Sequence, residues 1–172
     1  MNFSRNVFLC EHKNQRRVIK RIPCGGLNGK FYEYVMSELK ILRFCNHPRI
    51  IKFHDFVLSN QYFNFIMEHA TNGSLRDFIS NYQRNRWKLS ENDLIIMFLD
   101  IAFGIKYLHT HNIIHRDLKP ENVLLVDDFR CKICKKLFEV IKAFYINSSH
   151  VLQLILAFPR LLRTRRKQII KL

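Results

Sequence analysis

Short runs of β-branched and aromatic residues fill the first part of the chain, and apolar positions at helical spacing dominate the middle. Val7-Phe8-Leu9-Cys10 and Arg17-Val18-Ile19-Lys20-Arg21-Ile22 flank the polar stretch Glu11 to Arg16, which predicts two strands joined by a turn. Pro23 to Gly29 breaks regular structure, and Tyr34, Val35, Leu39, Ile41 and Leu42 then recur at the spacing of a helix over 31–44. His47-Pro48 ends that helix. Ile50 to Leu58 and Tyr62 to Met67 predict two more strands, turned by Ser59-Asn60-Gln61. Asn72-Gly73-Ser74 opens a short helix through Asn81. Ser90-Glu91-Asn92-Asp93 has the form of a capping box ahead of a long helix to His111. In that helix Leu94, Ile95, Phe98, Leu99, Ile101, Ala102, Ile105 and Leu108 lie nearly all round the axis, so burial on more than one side is expected. Strands, one helix, strands and then helices predict an α+β fold: a small sheet-rich lobe followed by a helical lobe, joined near Glu68 to Asn72.

Composition fits a folded protein: 48% of the 172 residues are hydrophobic and 25% are charged. The net charge of +15 sits mostly at the end, where residues 130–172 hold 11 Lys and Arg against one acidic residue. Arg160, Arg163, Arg165, Arg166, Lys167 and Lys171 could attract nucleic acid, a lipid surface or an acidic partner, although a charge run is more often a solvated face. Five scattered cysteines without a secretory signal argue against a disulfide framework and for a reducing, intracellular setting, cytoplasmic or nuclear. Cys131 and Cys134 have C-x-x-C spacing but no second ligand pair, so no zinc site is predicted. The apolar run Val151 to Phe158 is far short of the roughly 20 residues that span a bilayer, so no transmembrane helix is predicted.

The strongest chemical signal is His115-Arg116-Asp117-Leu118-Lys119-Pro120-Glu121-Asn122, followed by the apolar Val123-Leu124-Leu125. It matches H-R-D-L-x-x-x-N at every fixed position, and the chain thereby resembles the eukaryotic-type protein kinases, of the Ser/Thr type. Phosphoryl transfer needs a carboxylate to accept and orient the substrate hydroxyl, and a metal ligand beside the transferred phosphate. The resemblance makes Asp117 the base, Asn122 the Mg²⁺ ligand and Lys119 the cation that neutralises the departing γ-phosphate. Arg116 would be a regulatory contact to a phosphorylated loop.

Other positions fit the same family. Val18-Ile19-Lys20 resembles the V-A-I-K strand, whose lysine holds the α- and β-phosphates of ATP and pairs with a helical glutamate, here Glu38. Met67-Glu68-His69-Ala70 resembles the hinge, with Glu68 and His69 at the adenine edge and Ile66 at the gatekeeper position, while Val7, Val18 and Leu124 would sandwich the adenine ring. The resemblance thus implies an ATP- and Mg²⁺-dependent transferase acting on a protein substrate, with an N-lobe over about 1–68 and a partial C-lobe over about 69–134.

It also has two gaps. Asn2 to Asn6 contains no glycine where a Gly-rich phosphate loop should end, so the N-lobe is expected to be incomplete at its start; Gly25 to Gly29 follows the lysine strand and reads as an ordinary loop. Lys135-Lys136-Leu137 stands where D-F-G is expected, and a lysine at that position repels Mg²⁺. Residues 135–172 carry no kinase pattern, which suggests a truncated or alternatively spliced product, or intron sequence read through. The alternative to an active kinase is therefore a truncated pseudokinase or a binding module without catalysis. Ile95 and Phe98 would then lack the helices that cover them, and the chain is expected to aggregate readily.

Overall fold

The computed structural model describes residues 6–24, 29–59, 61–85 and 89–134. The chain divides into two units, Met1–His69 and Ala70–Leu172. The expectations for Asn2 to Arg5, for Gly25 to Asn28, for Lys135-Lys136-Leu137 and for the basic tail fall outside the described residues.

In the first unit β1 (Asn6–His12), β2 (Gln15–Pro23), β3 (Phe53–Ser59) and β4 (Tyr62–Glu68) form one antiparallel sheet in the order β1-β2-β4-β3. The first hairpin is tighter than its polar run suggests. Both strands extend into that run, leaving Lys13 and Asn14 as a two-residue turn with φ of 50° and 60°. Positive φ at both positions matches the right-handed twist of the flanking strands, and asparagine tolerates it better than most residues. The third strand starts at Phe53, later than Ile50, because Ile50 and Ile51 are buried in the turn after His47, whose Nδ1 accepts the Arg49 N–H at 3.1 Å.

Strand register sorts the side chains into two faces. Val7 pairs with Lys20 and Lys20 with Phe65, while Leu9 pairs with Val18 and Val18 with Met67, so these six share one face. Helix α1 (Gly29–Phe44) covers part of that face: it buries Val35, Glu38, Leu39 and Leu42, spaced to fall on one side, and sets Phe31 and Tyr32 against Phe63 at 6.4 and 6.0 Å between ring centroids. The opposite face mixes polar and apolar side chains, with Ile19 paired to Phe8 and Ile66. There Arg21 lies over the rings of Phe8 and Tyr62 at 4.9 and 5.3 Å and donates from Nε to Asn64 Oδ1.

The second unit is built on α2 (Leu75–Asn85) and α3 (Glu91–Thr110), followed by a short 3₁₀ turn at Pro120–Asn122 and the hairpin β5 (Val123–Leu125) and β6 (Cys131–Ile133). The capping box at α3 forms: Ser90 Oγ accepts the Asp93 N–H, and Asp93 Oδ2 accepts the Ser90 N–H. A similar exchange between Ser74 and Asp77 opens α2, just after Gly73 at φ 73°. Hydrogen bonds Asn72 N to Leu125 O and Leu125 N to Gly73 O then fasten that entry to β5. Only one side of α3 is buried, through Leu94, Met97, Ile101, Gly104 and Leu108. Ile95, Phe98, Leu99 and Phe103 are 54%, 51%, 43% and 52% exposed, so burial on several sides is not what the fold shows. All five cysteines are free. Among the described residues no helix is long and apolar enough to cross a membrane, and no group of His, Cys, Asp and Glu could hold a metal ion.

Candidate active site

The loop after α3 is set by how that helix ends. Asn112 takes φ 56° and its N–H bonds to His109 O, while Ile113 N–H bonds back to Leu108 O. This is a Schellman ending, with asparagine in the left-handed position usually given to glycine. Four residues later Arg116 is also left-handed, at φ 66°, a conformation that costs of order 1 kcal/mol in a residue with a Cβ. Its neighbours hold it there. Asp117 and Leu118 are buried, and His115 Nε2 lies 3.3 Å from the Cys134 carbonyl.

Asp117 is 1% exposed and has polar partners on both oxygens. Lys119 Nζ lies 2.9 Å from Oδ1, and Asn122 Nδ2 donates to Oδ2 at 2.7 Å and to the Asp117 carbonyl at 2.6 Å. Asn122 is itself held by its backbone, since its N–H bonds to Lys119 O and its carbonyl accepts the Cys134 N–H at 2.8 Å. With Nδ2 committed twice to Asp117, the amide oxygen of Asn122 is the atom left for another partner. A carboxylate and an amide oxygen are hard donors of the kind Mg²⁺ takes. The three residues of the loop motif given chemical roles are therefore together. Glu121 points elsewhere, accepting from Arg76 Nε at 2.9 Å. Burial works to raise its pKa, but hydrogen bonds from its own backbone and from Arg76, with the charges of Arg76 and Lys119, lower it overall.

The remaining candidates are placed unit by unit. In the first, Val7, Val18 and Lys20 share the sheet face described above; Val7 is exposed, Val18 half-buried and Lys20 buried. Glu38 is buried on α1, on the side turned to the core of that unit. Both are charged groups buried in one small unit, where a charge depends on partners. Glu68 is committed inside its own unit: its N–H bonds to Lys52 O and its Oε2 accepts the Lys52 N–H. His69, half-buried, is the last residue of the unit. Ile66 does not lie on the Lys20 face. It pairs with Ile19 on the other side, and the buried Met67 stands beside Val18 instead, because strand side chains alternate. In the second unit Leu124 is half-buried on β5, bridged to Ser74.

Comparison with known proteins is decided by one match: the sequence profile of the family described as "Protein kinase domain" fits residues 3–136. The chain belongs to the protein kinase family. Curated protein kinases, some of them named as serine/threonine kinases, are among the proteins it is similar to. They include "Probable serine/threonine-protein kinase nek1" of Dictyostelium discoideum, 33% identical over 120 residues, which is 70% of this chain and 25% of that protein. "Serine/threonine-protein kinase ATG1b" of Arabidopsis thaliana is 40% identical over 110 residues, 64% of this chain and 15% of that protein. "SNF1-related protein kinase catalytic subunit alpha KIN12", also of Arabidopsis thaliana, is 40% identical over 99 residues, 58% of this chain and 19% of that protein. The chain thus spans a quarter or less of the length of these kinases, and the kinase match ends close to where the pattern stops in the sequence.

The residue that sequence reading missed is Asp100. It is a carboxylate in the middle of an apolar helix, 3% exposed, and it receives Arg130 and the Cys131 N–H from the β5–β6 hairpin. A charge at a core position was the available signal, since a buried carboxylate must have partners.

Proposed function

We propose that this kinase-family chain carries the catalytic loop of an ATP- and Mg²⁺-dependent serine/threonine protein kinase that moves a γ-phosphate to a protein hydroxyl. The observation behind this reading is the buried Asp117, oriented by two hydrogen bonds from Asn122 and faced by the Lys119 ammonium. Asp117 accepts and orients the hydroxyl, and Lys119 supplies positive charge where the phosphate leaves. The Asn122 oxygen would hold Mg²⁺, which when bound neutralises charge on the phosphates. Lys20, with Glu38, is assigned to the α- and β-phosphates, and Val7, Val18, Glu68, His69 and Leu124 to the base.

ATP turnover on a generic protein substrate tests the reading. Asp117→Asn should lower it by roughly a hundredfold or more while the fold, read by circular dichroism, stays intact. Equal turnover in both proteins would refute the role of Asp117.

A second reading, a nucleotide- or partner-binding module without catalysis, is favoured by Lys135-Lys136-Leu137 in place of D-F-G. MgATP binding without any turnover in the native chain would select it.

A further inference from the structure

We propose that Asp100 is a positioning residue for Asn122, acting through β6. Its carboxylate takes three hydrogen bonds from the start of that strand: Arg130 Nε to Oδ2 at 2.9 Å, Arg130 Nη2 to Oδ1 at 3.1 Å, and Cys131 N to Oδ2 at 2.9 Å. Cys131 and Ile133 are fully buried and pair with Leu125 and Val123. Just past Ile133, the Cys134 N–H holds the Asn122 carbonyl and the Cys134 carbonyl meets the His115 ring. One strand therefore links a fixed point on α3 to the backbone of the residue whose side chain orients Asp117.

The energetics favour positioning over bulk stability. A buried ion pair adds little net stability compared with apolar residues of similar volume, because desolvating the charges offsets their attraction. Arg130 is 43% exposed, which weakens the Coulomb gain further. What an apolar residue at 100 could not do is bind a backbone N–H and a guanidinium together and so fix the register of a three-residue strand. A slip of one residue would turn Cys131 and Ile133 outward and pull the Cys134 N–H from Asn122.

The metal-ligand role of Asn122 rests on the kinase reading, so the experiment has an arm that does not. In ¹⁵N-labelled full-length chain, Asp100→Asn should speed hydrogen exchange of the Cys134 amide and of the Asn122 side-chain amide by about tenfold, with amides of α1 and the early turns of α3 unchanged. Arg130→Gln, which keeps the Cys131 bond, should give the same pattern more weakly and serves if Asp100→Asn fails to fold. Loss of protection at Cys131 alone, or a uniform rise across the whole second unit, would overturn the proposal. In the other arm, MgATP affinity should fall roughly ten- to a hundredfold in Asp100→Asn, the usual effect of removing a group that orients a metal ligand. If the native chain binds no MgATP, the kinase reading fails while the exchange arm still decides the positioning role.

Discussion

Asp117 is buried at a point where water cannot orient it, and so its direction depends on Asn122 and Lys119. Lys119→Ala should therefore lower kcat by roughly a hundred- to a thousandfold, as loss of one preorganised charge at a transition state does, with little change in the KM for ATP. Glu121 allows a pH test. Its folded pKa is lowered, so its contribution to stability is full above the unfolded carboxylate value and is lost as pH falls through the folded one. The pair with Arg76 is well exposed, and the effect should be at most about 1 kcal/mol. Glu121→Gln should melt below the native chain at neutral pH and together with it in acid; a gap that persists in acid would exclude the ionised carboxylate as the cause. Asp117, Lys119 and Asn122 were legible in sequence because eight consecutive residues carry them. The partnership of Asp100 with Arg130 was not, since thirty residues separate them and only tertiary packing joins them. Ile66 was misplaced by a single residue, which in a strand means the opposite face.

At the level of elements, α3 fixes the loop at both its ends. Ser90→Ala removes the acceptor for the Asp93 N–H and should cost about 0.5–2 kcal/mol in urea denaturation. Met97→Ala, at a fully buried position on the inner side of α3, should cost about 2–5 kcal/mol. A smaller loss for Met97→Ala than for Ser90→Ala would mean that this side of the helix is not core. The capping box and the length of α3 could be read from sequence because local chemistry sets them. Its sidedness could not: Ile95 and Leu99 are as apolar as Leu94 and Ile101, and only the neighbours actually present decide which are covered. The tight turn at Lys13 and Asn14 escaped for a related reason, as polar residues such as Glu11 and Arg16 serve equally in an exposed strand and in a loop.

For the molecule as a whole, the family pattern runs through both units and stops near the last described strand. The exposed Ile95, Leu99 and Phe103 form an apolar strip of the kind that drives association. Light scattering at rising concentration should show self-association of the native chain, reduced in Leu99→Glu; a native chain that stays monomeric would count against this. Catalysis is the larger question, and transfer of label reads it most directly. Native chain and Asp117→Asn are each incubated with Mg²⁺, γ-labelled ATP and a protein substrate. Label should be found on serine or threonine hydroxyls with the native chain and be almost absent with the variant. No label with either protein, or equal label with both, would contradict the role given to the buried carboxylate.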